Sequence, residues 1–423
     1  MIDISKITYK VYLLRETGEQ LDITAVSEDV GWDENEGELA QRVSLSLANV
    51  MHNGQYIASI AKPNCYIIVT ADAGSASGEV ARGKIVEWST TRSGTAEGVD
   101  VSGYDELYDL QASQDNRYIS AGVSTQTAIT SIFNDWGVPI ERYEGPTNAN
   151  AKTTFKNEYL SDIVLELLET AKKHGARDCI IRASKGKVSI IPKASNTTVY
   201  CFEEDKNIET TKYKISTGDM VTVVKVVATE DDDDRQAVEA IINGKTEYGR
   251  RQKIYVRDDD DTLETATAAA KEILAEEGEP AETITLKAPD IPFIRKGDKI
   301  KLTTRVYSGY ALVTSIQHNA SNRSMSLGVE KYDPTAEAQR QQEQTPQKKE
   351  YKIGDICTFN GGYHYYTSMD ANSRGGLRTA GPAWIQNINN NGKHKYALIG
   401  GVYKSGVGGS SNVYGWVDEN TVS

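Results

Sequence analysis

The stretch Ile284–Tyr332 reads ITLKAPDIPFIRKGDKIKLTTRVYSGYALVTSIQHNASNRSMSLGVEKY. Ile300 and Leu302 alternate with Lys299, Lys301 and Thr303. Leu312, Thr314 and Ile316 share one parity, with Val313 and Ser315 on the other. Met325, Leu327 and Val329 alternate with Ser324, Ser326, Gly328 and Glu330. A strand sends successive side chains to opposite faces, so a period of two sets one group on a core and the other in water. The stretch predicts three half-buried antiparallel strands. Turn residues separate them: Arg295-Lys296-Gly297-Asp298, Ser308-Gly309 and Asn319-Ala320-Ser321-Asn322. A small barrel or curved sheet follows, and nothing in it looks like a reaction centre.

Working outward, 423 residues are too many for one core and predict three or four domains. Hydrophobic residues at 39% and charged residues at 25% describe a soluble, globular chain with no run long enough to span a membrane. The N-terminus, Met-Ile-Asp-Ile-Ser-Lys, lacks the basic and apolar segments of a signal peptide, so synthesis in the cytoplasm is expected. A net charge of −13 argues against nucleic-acid binding, which needs a basic footprint. The acidity suits a conduit wall that repels a phosphate backbone, and equally suits plain solubility. Cys65, Cys179, Cys201 and Cys357 are far apart, so lone reduced thiols are expected rather than zinc or a disulfide framework.

Residues 1–105 read as mostly strand. Val43, Leu45 and Leu47 alternate with Ser44, Ser46 and Ala48, and Cys65 to Thr70 is a continuous run that suggests a more buried strand. Residues 81–88 and 98–105 look like neighbouring strands, and Gly74 to Gly78 like a hairpin tip. Two helices follow. Ser124 caps one that carries Ala128, Ile129, Ile132 and Phe133 on a stripe and stops at Gly137. Ser161 caps another with Ile163, Val164, Leu167, Leu168 and Ala171, its end complemented by Lys172, Lys173 and His174. A hairpin turning at Ser184-Lys185-Gly186 comes next. From Thr198 the chain returns to strand: Met220 to Thr229 and Val238 to Asn243 flank an acidic run, Glu230 to Asp234. A second run, Asp258 to Asp261, precedes an alanine-rich helix from Thr262 to Glu277. Asp333 to Glu350 has almost nothing to bury and reads as a tether. Residues 351–423 hold 13 of the 35 glycines, and six basic against four acidic residues, so they differ in character from the body.

The order Arg-Lys-Gly-Asp-Lys-Ile, Gly-Tyr-Ala-Leu-Val-Thr-Ser-Ile-Gln-His, Met-Ser-Leu-Gly-Val-Glu resembles the last barrel of baseplate hub proteins, from contractile phage tails and related prophage tails of Gram-positive bacteria. Residues 1–105 resemble the first hub barrel, and the helix-plus-hairpin region resembles the family's middle domain. The resemblance implies a mainly β fold with an α+β insert and a homotrimer whose six barrels form a ring between the hexameric tail tube protein and the central spike. Tape-measure and baseplate wedge proteins would be further partners, and the virion or a tail-like bacteriocin particle the location. The expected domains are a first tube-like barrel (1–105), an α+β middle domain (106–214), a second tube-like barrel with its helix (215–332), a linker (333–350) and a terminal module (351–423). That module resembles bacterial SH3 domains through Gly354-Asp355, Phe359 to Gly362, Arg378 to Ala383, Lys393 to Ile399 and Val413 to Val417. The SH3-like resemblance implies cell-wall binding.

The residues themselves offer no catalytic constellation and call for no cofactor or metal. Gly78 to Ile85 has the spacing of a phosphate loop but lacks the final Ser or Thr and enters a strand. The acidic runs lack a calcium-loop pattern and read as solvated loop tips, with a cation as the alternative. In the terminal module, Tyr365, Trp384, His394, Tyr396, Tyr414 and Trp416 are the candidate ligand contacts, because aromatic faces with a few polar groups suit peptides or sugars. Trp416 and Tyr396 serve as well as core residues. A peptidoglycan hydrolase targeted by the module is the alternative reading. It explains the C-terminus but finds no nucleophile, base and orienting group in the body. A secreted wall-binding adhesin is a third reading, opposed by the missing signal peptide.

Overall fold

The computed structural model describes residues 4–94, 96–150, 152–173, 175–228, 236–257, 262–335, 351–372, 375–400 and 411–422. The protein divides into two compact units, residues 1–341 and 342–423. It is mainly β with a helical insert.

The first unit is organised on one 13-stranded sheet. Along its main path the strands are Thr210–Ser216, Ala281–Pro289, Ser324–Tyr332, Ser308–Asn319, Ser27–Glu34, Arg42–Ala48, Ala96–Tyr104, Ser77–Ser93, Tyr66–Asp72, Thr8–Leu14 and Gln20–Asp22. Lys299–Thr303 branches off Ser308–Asn319 and pairs in parallel with Cys201–Glu203. Each half of the sheet has its own core. Val11, Leu13, Trp32, Val43, Leu45, Leu47, Ile67, Val69, Ile85 and Val101 fill the first. Phe202, Ile284, Leu286, Ile300, Leu302, Val313, Ile316, Met325, Leu327 and Val329 fill the second. Strict alternation in Arg42–Ala48 and in Ser324–Val329 produces these inward faces.

The central stretch holds four strands, three of which match the alternating runs, with two departures. Leu312, Thr314 and Ile316 do not share a face. A β-bulge between Val313 and Ser315 adds one residue, so Ala311 and Val313 face the core before it and Ile316 after it. Gly328 opposite makes room: a Cβ there would stand 2.5 Å from Ser315 Oγ. The turn expected at Ser308-Gly309 lies earlier, closed by Thr304 accepting from, and donating to, Tyr307, so that Ser308 already belongs to the strand.

Between the halves sits an α+β region with its own core. Helix Thr125–Asp135 is capped by Ser124, whose hydroxyl accepts from the Thr127 N–H. Helix Leu160–Lys173 starts before Ser161, which lies inside it, buried rather than capping. Both pack with hairpin Cys179–Ser184/Lys187–Pro192 around Ile129, Phe133, Ile163, Leu167, Ile181 and Val188. A further unit is spliced between the paired strands Thr210–Ser216 and Ala281–Pro289. Strand Val223–Val227 lies between Val238–Asn243 (antiparallel) and Gln252–Val256 (parallel), under helix Leu263–Glu277, which Thr262 caps. Its core is thin: Val224, Val226, Ala266 and Ala270.

The second unit has a four-stranded antiparallel sheet, in the order Ile356–Phe359, Gly381–Ile388, Tyr396–Gly400, Tyr414–Val417. Cys357, Phe359, Ile385, Tyr396, Leu398, Val413 and Val417 make its core. The two acidic runs, His174 and residues 336–350 of the expected tether lie outside the described residues.

Candidate functional site

The two halves of the large sheet meet along one backbone ladder. Gly31, Trp32, Asp33 and Glu34 pair with Asn319, His318, Gln317 and Ile316. The approach is close, since a Cβ on Gly31 would stand 2.9 Å from the His318 carbonyl oxygen. Behind this seam, Trp32 stacks on the His318 ring with centroids 4.7 Å apart. His318 and Asp290 are both 1% exposed. His318 Nδ1 lies 2.6 Å from Asp290 Oδ1, and Nε2 donates to the Ile294 carbonyl at 3.0 Å. The Tyr9 hydroxyl donates to the other Asp290 oxygen at 2.5 Å. Burial, then Asp290, push the Tyr9 phenol well above its ordinary range. The first half thus supplies Tyr9 and Trp32, and the second His318 and Asp290.

Beside it, the turn Arg295–Asp298 ties three cores together. Arg295 Nε donates to Glu34 at 2.8 Å and its terminal nitrogen to the Ala183 carbonyl at 2.7 Å. Lys296 donates to the carbonyls of Asn35, at 2.8 Å, and Glu38. Arg182 donates to the Lys296 carbonyl and, at 2.8 Å, to Asp298. Burial raises the Glu34 carboxyl, but Arg295 outweighs it and Glu34 ends below the usual range. Burial also lowers the Lys296 amine. Asp105, buried near Arg295, accepts N–H bonds from Gln41 and Leu107, yet burial pushes its carboxyl up to about 7. Buried charges survive only when their partners are in place, so this turn fixes one mutual arrangement of the two halves and the α+β region. In the sequence it shows only as a plain turn. Its partners are more than a hundred residues away, and no local pattern points to them.

Away from the cores, the seam makes one polar face out of two. Directly opposed residues share a face, and the register carries Lys287, Ser326, Gln317, Asp33, Arg42, Tyr104 and Lys84 in a single row across both halves. A second row runs Ser324, Asn319, Gly31, Ser44, Ser102, Glu87. Arg42 and Asp33 pair at 2.7 Å, Ser102 donates to Glu87 at 2.8 Å, and Ser46 to Asp100 at 2.6 Å. The rows are polar throughout save Tyr104, which packs against the α+β core; Asp33 is buried beneath Arg42, and Lys287 and Gln317 are the open members.

In the C-terminal unit the six candidate contacts separate into two groups. Tyr396 is core, edge-on to Tyr351. His394 is buried: Nδ1 lies 2.6 Å from Asp418, Nε2 donates to the Asp370 carbonyl at 2.9 Å, and Tyr365 stacks on the ring at 3.5 Å. Tyr365 also pairs its backbone with Trp416. The others lie on the sheet's outer face, opposite Ala383, Ile385 and Leu398. Ile356, Trp384, Ile399 and Tyr414 form one row across all four strands, and Trp416 stands beside it opposite Ala397. His394 and Tyr396 are buried and Tyr365 is half-buried, whereas Tyr414 is exposed.

Three of the described histidines are already engaged. Both ring nitrogens of His318 and of His394 are occupied, and His364 Nδ1 accepts from Arg378. The Cys179 thiol, in a crevice of about 530 Å³ with Leu165, Leu168, Glu36 and Glu330, is pushed up to about 11 by burial, so it stays protonated. Gly78 to Ile85 lies within strand Ser77–Ser93, with no helix N-terminus to receive a phosphate. No group of three or more His, Cys, Asp and Glu among the described residues could hold a metal, and no described helix is long and apolar enough to cross a membrane.

Residues 37–330 match the family model described as YQBQ-like. No curated protein matches the chain. Among solved structures, the chain is similar to the 43 kDa tail protein of prophage MuSo2 from Shewanella oneidensis. The TM-score is 0.57 at 14% identity, over 76% of this chain and 98% of that one. It is also similar to the tail protein from Neisseria meningitidis MC58, with TM-score 0.56, 13% identity, and 76% and 96% of the two chains covered. The c3393 protein of E. coli, described as a type VI secretion component resembling T4 tail proteins gp27 and gp5, aligns at TM-score 0.45 and 9% identity over 92% and 91% of the chains. That level carries no argument, and the first two show likeness of fold alone.

Proposed function

The chain belongs to the YQBQ-like family, and on that premise we propose that it is a structural hub of a phage-type tail. The observation that supports this reading best is the seam, which sets two β units of one chain side by side in one sheet with a shared polar face. Three such chains would place six β units around an axis, which matches a hexameric tube on one side and a threefold spike on the other. The polar rows through Gln317, Asp33 and Arg42 would line the channel. The sheet's two end strands, Gln20–Asp22 and Thr210–Ser216, carry the unpaired edges that ring closure would use. On this reading residues 1–105 and 215–332, helped by strands 201–203 and 210–216, are the two tube-like units, with 106–214 between them. The protein acts without catalysis, as part of a virion or tail-like particle.

The terminal module, 351–423, would be an SH3-like domain on a tether, binding cell wall or a tail partner through the outer row at Trp384, Tyr414 and Trp416 rather than through His394 or Tyr396. Mixed with its tube and spike neighbours, the full-length chain should sediment as a trimer. A stable monomer in the presence of both would overturn the proposal. Zymography on cell walls should show no clearing.

A further inference from the structure

A crevice opens where the two sheet halves and the α+β region meet. Residues 36–39 lead away from strand Ser27–Glu34 of the first half. Helix Leu160–Lys173 and strand Cys179–Ser184 come from the α+β region, and strands Ser308–Asn319 and Ser324–Tyr332 from the second half. Its volume of about 530 Å³ lies in the range of ligand pockets. The floor is apolar: Leu39, Leu165, Leu168, Ile180 and Leu312. Ile180 and Leu312 are 7% and 5% exposed, yet neither belongs to the core of the α+β region or of the second half. They form the bottom of the crevice instead.

Charge narrows what fits. The lining carries six carboxylates against three amines, a net of −3, all on described residues. The amines are taken: Asp178 holds Lys193 at 3.0 Å and Lys172 at 3.3 Å, and Lys296 donates to the carbonyls of Asn35 and Glu38. Two carboxylates are not. Glu36 and Glu330 stand exposed at the mouth, within electrostatic reach of each other, and among the described residues neither side chain has a hydrogen bond or ion pair. Glu330 also feels Lys193 and Lys172, whose charges Asp178 already offsets. An apolar floor below two unpaired carboxylates suits a cation with an apolar body. A bare calcium ion would want six to eight oxygens, which apolar walls do not supply.

Shape narrows it further. The crevice runs into a second one of about 530 Å³, which shares Lys172, Asp178, Lys193, Leu312 and Glu330 and continues to Pro334. A groove of that length suits an extended segment rather than a compact amine. The chain's own residues 336–350 follow directly on Pro334, but their apolar residues are only Ala336, Ala338 and Pro346, too small for this floor.

We propose that the crevice binds a segment of another protein in which Leu- or Ile-sized side chains stand next to Lys or Arg. The apolar groups would lie on the floor, with the cation between Glu36 and Glu330. A segment bound there touches both sheet halves and the α+β region at once, so it stabilises their mutual arrangement. Nothing in this assignment depends on the hub reading.

The test uses the full-length chain and fluorescent peptides of about six residues, an ordinary strand length. An alternating Leu/Arg peptide should bind, raise the melting temperature, and weaken as salt rises. A Ser/Arg peptide of equal charge should bind at least about tenfold more weakly, and a Leu/Glu peptide not at all. Leu165→Gln, at a half-buried floor position, should weaken Leu/Arg binding about tenfold. Glu36→Gln with Glu330→Gln should weaken it by about as much and remove most of the salt dependence, while the free chain melts unchanged because both groups are exposed. Should Leu165→Gln melt early, the glutamine pair decides alone. No binding of the Leu/Arg peptide, equal binding of the Ser/Arg peptide, or binding untouched by the substitutions would overturn the proposal. Calcium alone raising the melting temperature, only while Glu36 and Glu330 are intact, would overturn it in favour of a metal site. Concentration-dependent dimers that Leu165→Gln abolishes would overturn it in favour of a second copy.

Discussion

The seam between the two sheet halves and the spliced unit at 217–280 are built from similar strands but finished in opposite ways. At the seam, charged and polar groups are buried and every one named above has a partner: His318 with Asp290, Arg295 with Glu34, Arg182 with Asp298. In the spliced unit the core amounts to two valines and two alanines, and apolar side chains are left in water. Satisfied buried charges tolerate only one geometry, whereas an open apolar face is incomplete until something covers it. The first suits a frame that must hold two β units at a fixed angle.

The comparison breaks most visibly if the seam's charges are disturbed. His318→Ala leaves Asp290 buried with only Tyr9, and should cost about 4 kcal/mol, the usual range for breaking a buried pair; denaturant unfolding measures it. A loss below about 1 kcal/mol would mean that the seam is not held this way.

Asp105 should show itself in pH dependence. Its folded carboxyl sits at about 7, above the ordinary carboxylate value, so between those values the folded state holds more protons than the unfolded one. Its contribution to stability is therefore full below about pH 4 and lost as pH rises through 7, a loss of about 4 kcal/mol. Asp105→Asn should flatten that slope. An unchanged slope assigns it to other groups.

Gly31→Ala presses a methyl group on the His318 carbonyl and should cost about 2 kcal/mol, whereas the same change at half-buried Gly98, whose Cβ would meet nothing closer than 3.9 Å, should cost less. In the spliced unit, Thr262→Ala removes the cap on helix Leu263–Glu277 and should cost about 1 kcal/mol. Amide exchange should locate that loss in 217–280 alone, because so little else holds this unit together.

The same contrast explains what could be read in advance. Alternation gave the core strands, spacing with a capping hydroxyl gave helix Thr125–Asp135, and an alanine-rich run gave helix Leu263–Glu277, because those signals are local. Leu312 and Thr314 misled because a bulge adds a residue without any mark in the sequence. The pairing of Arg182 with Asp298 spans 116 residues and that of Tyr9 with Asp290 spans 281, so neither could be seen before the chain was folded. In the C-terminal unit, composition identified the aromatic residues but not their parity. Only the register separates Trp384, Tyr414 and Trp416 on the outer face from Tyr396 inside.

The most direct measurement is an image of the full-length chain assembled with its tube and spike, at a resolution that separates strands. Three copies should appear, with six β units about one axis and the row through Lys287, Gln317, Asp33 and Arg42 turned towards the channel. A single copy, or three copies with that row facing outward, would contradict the account.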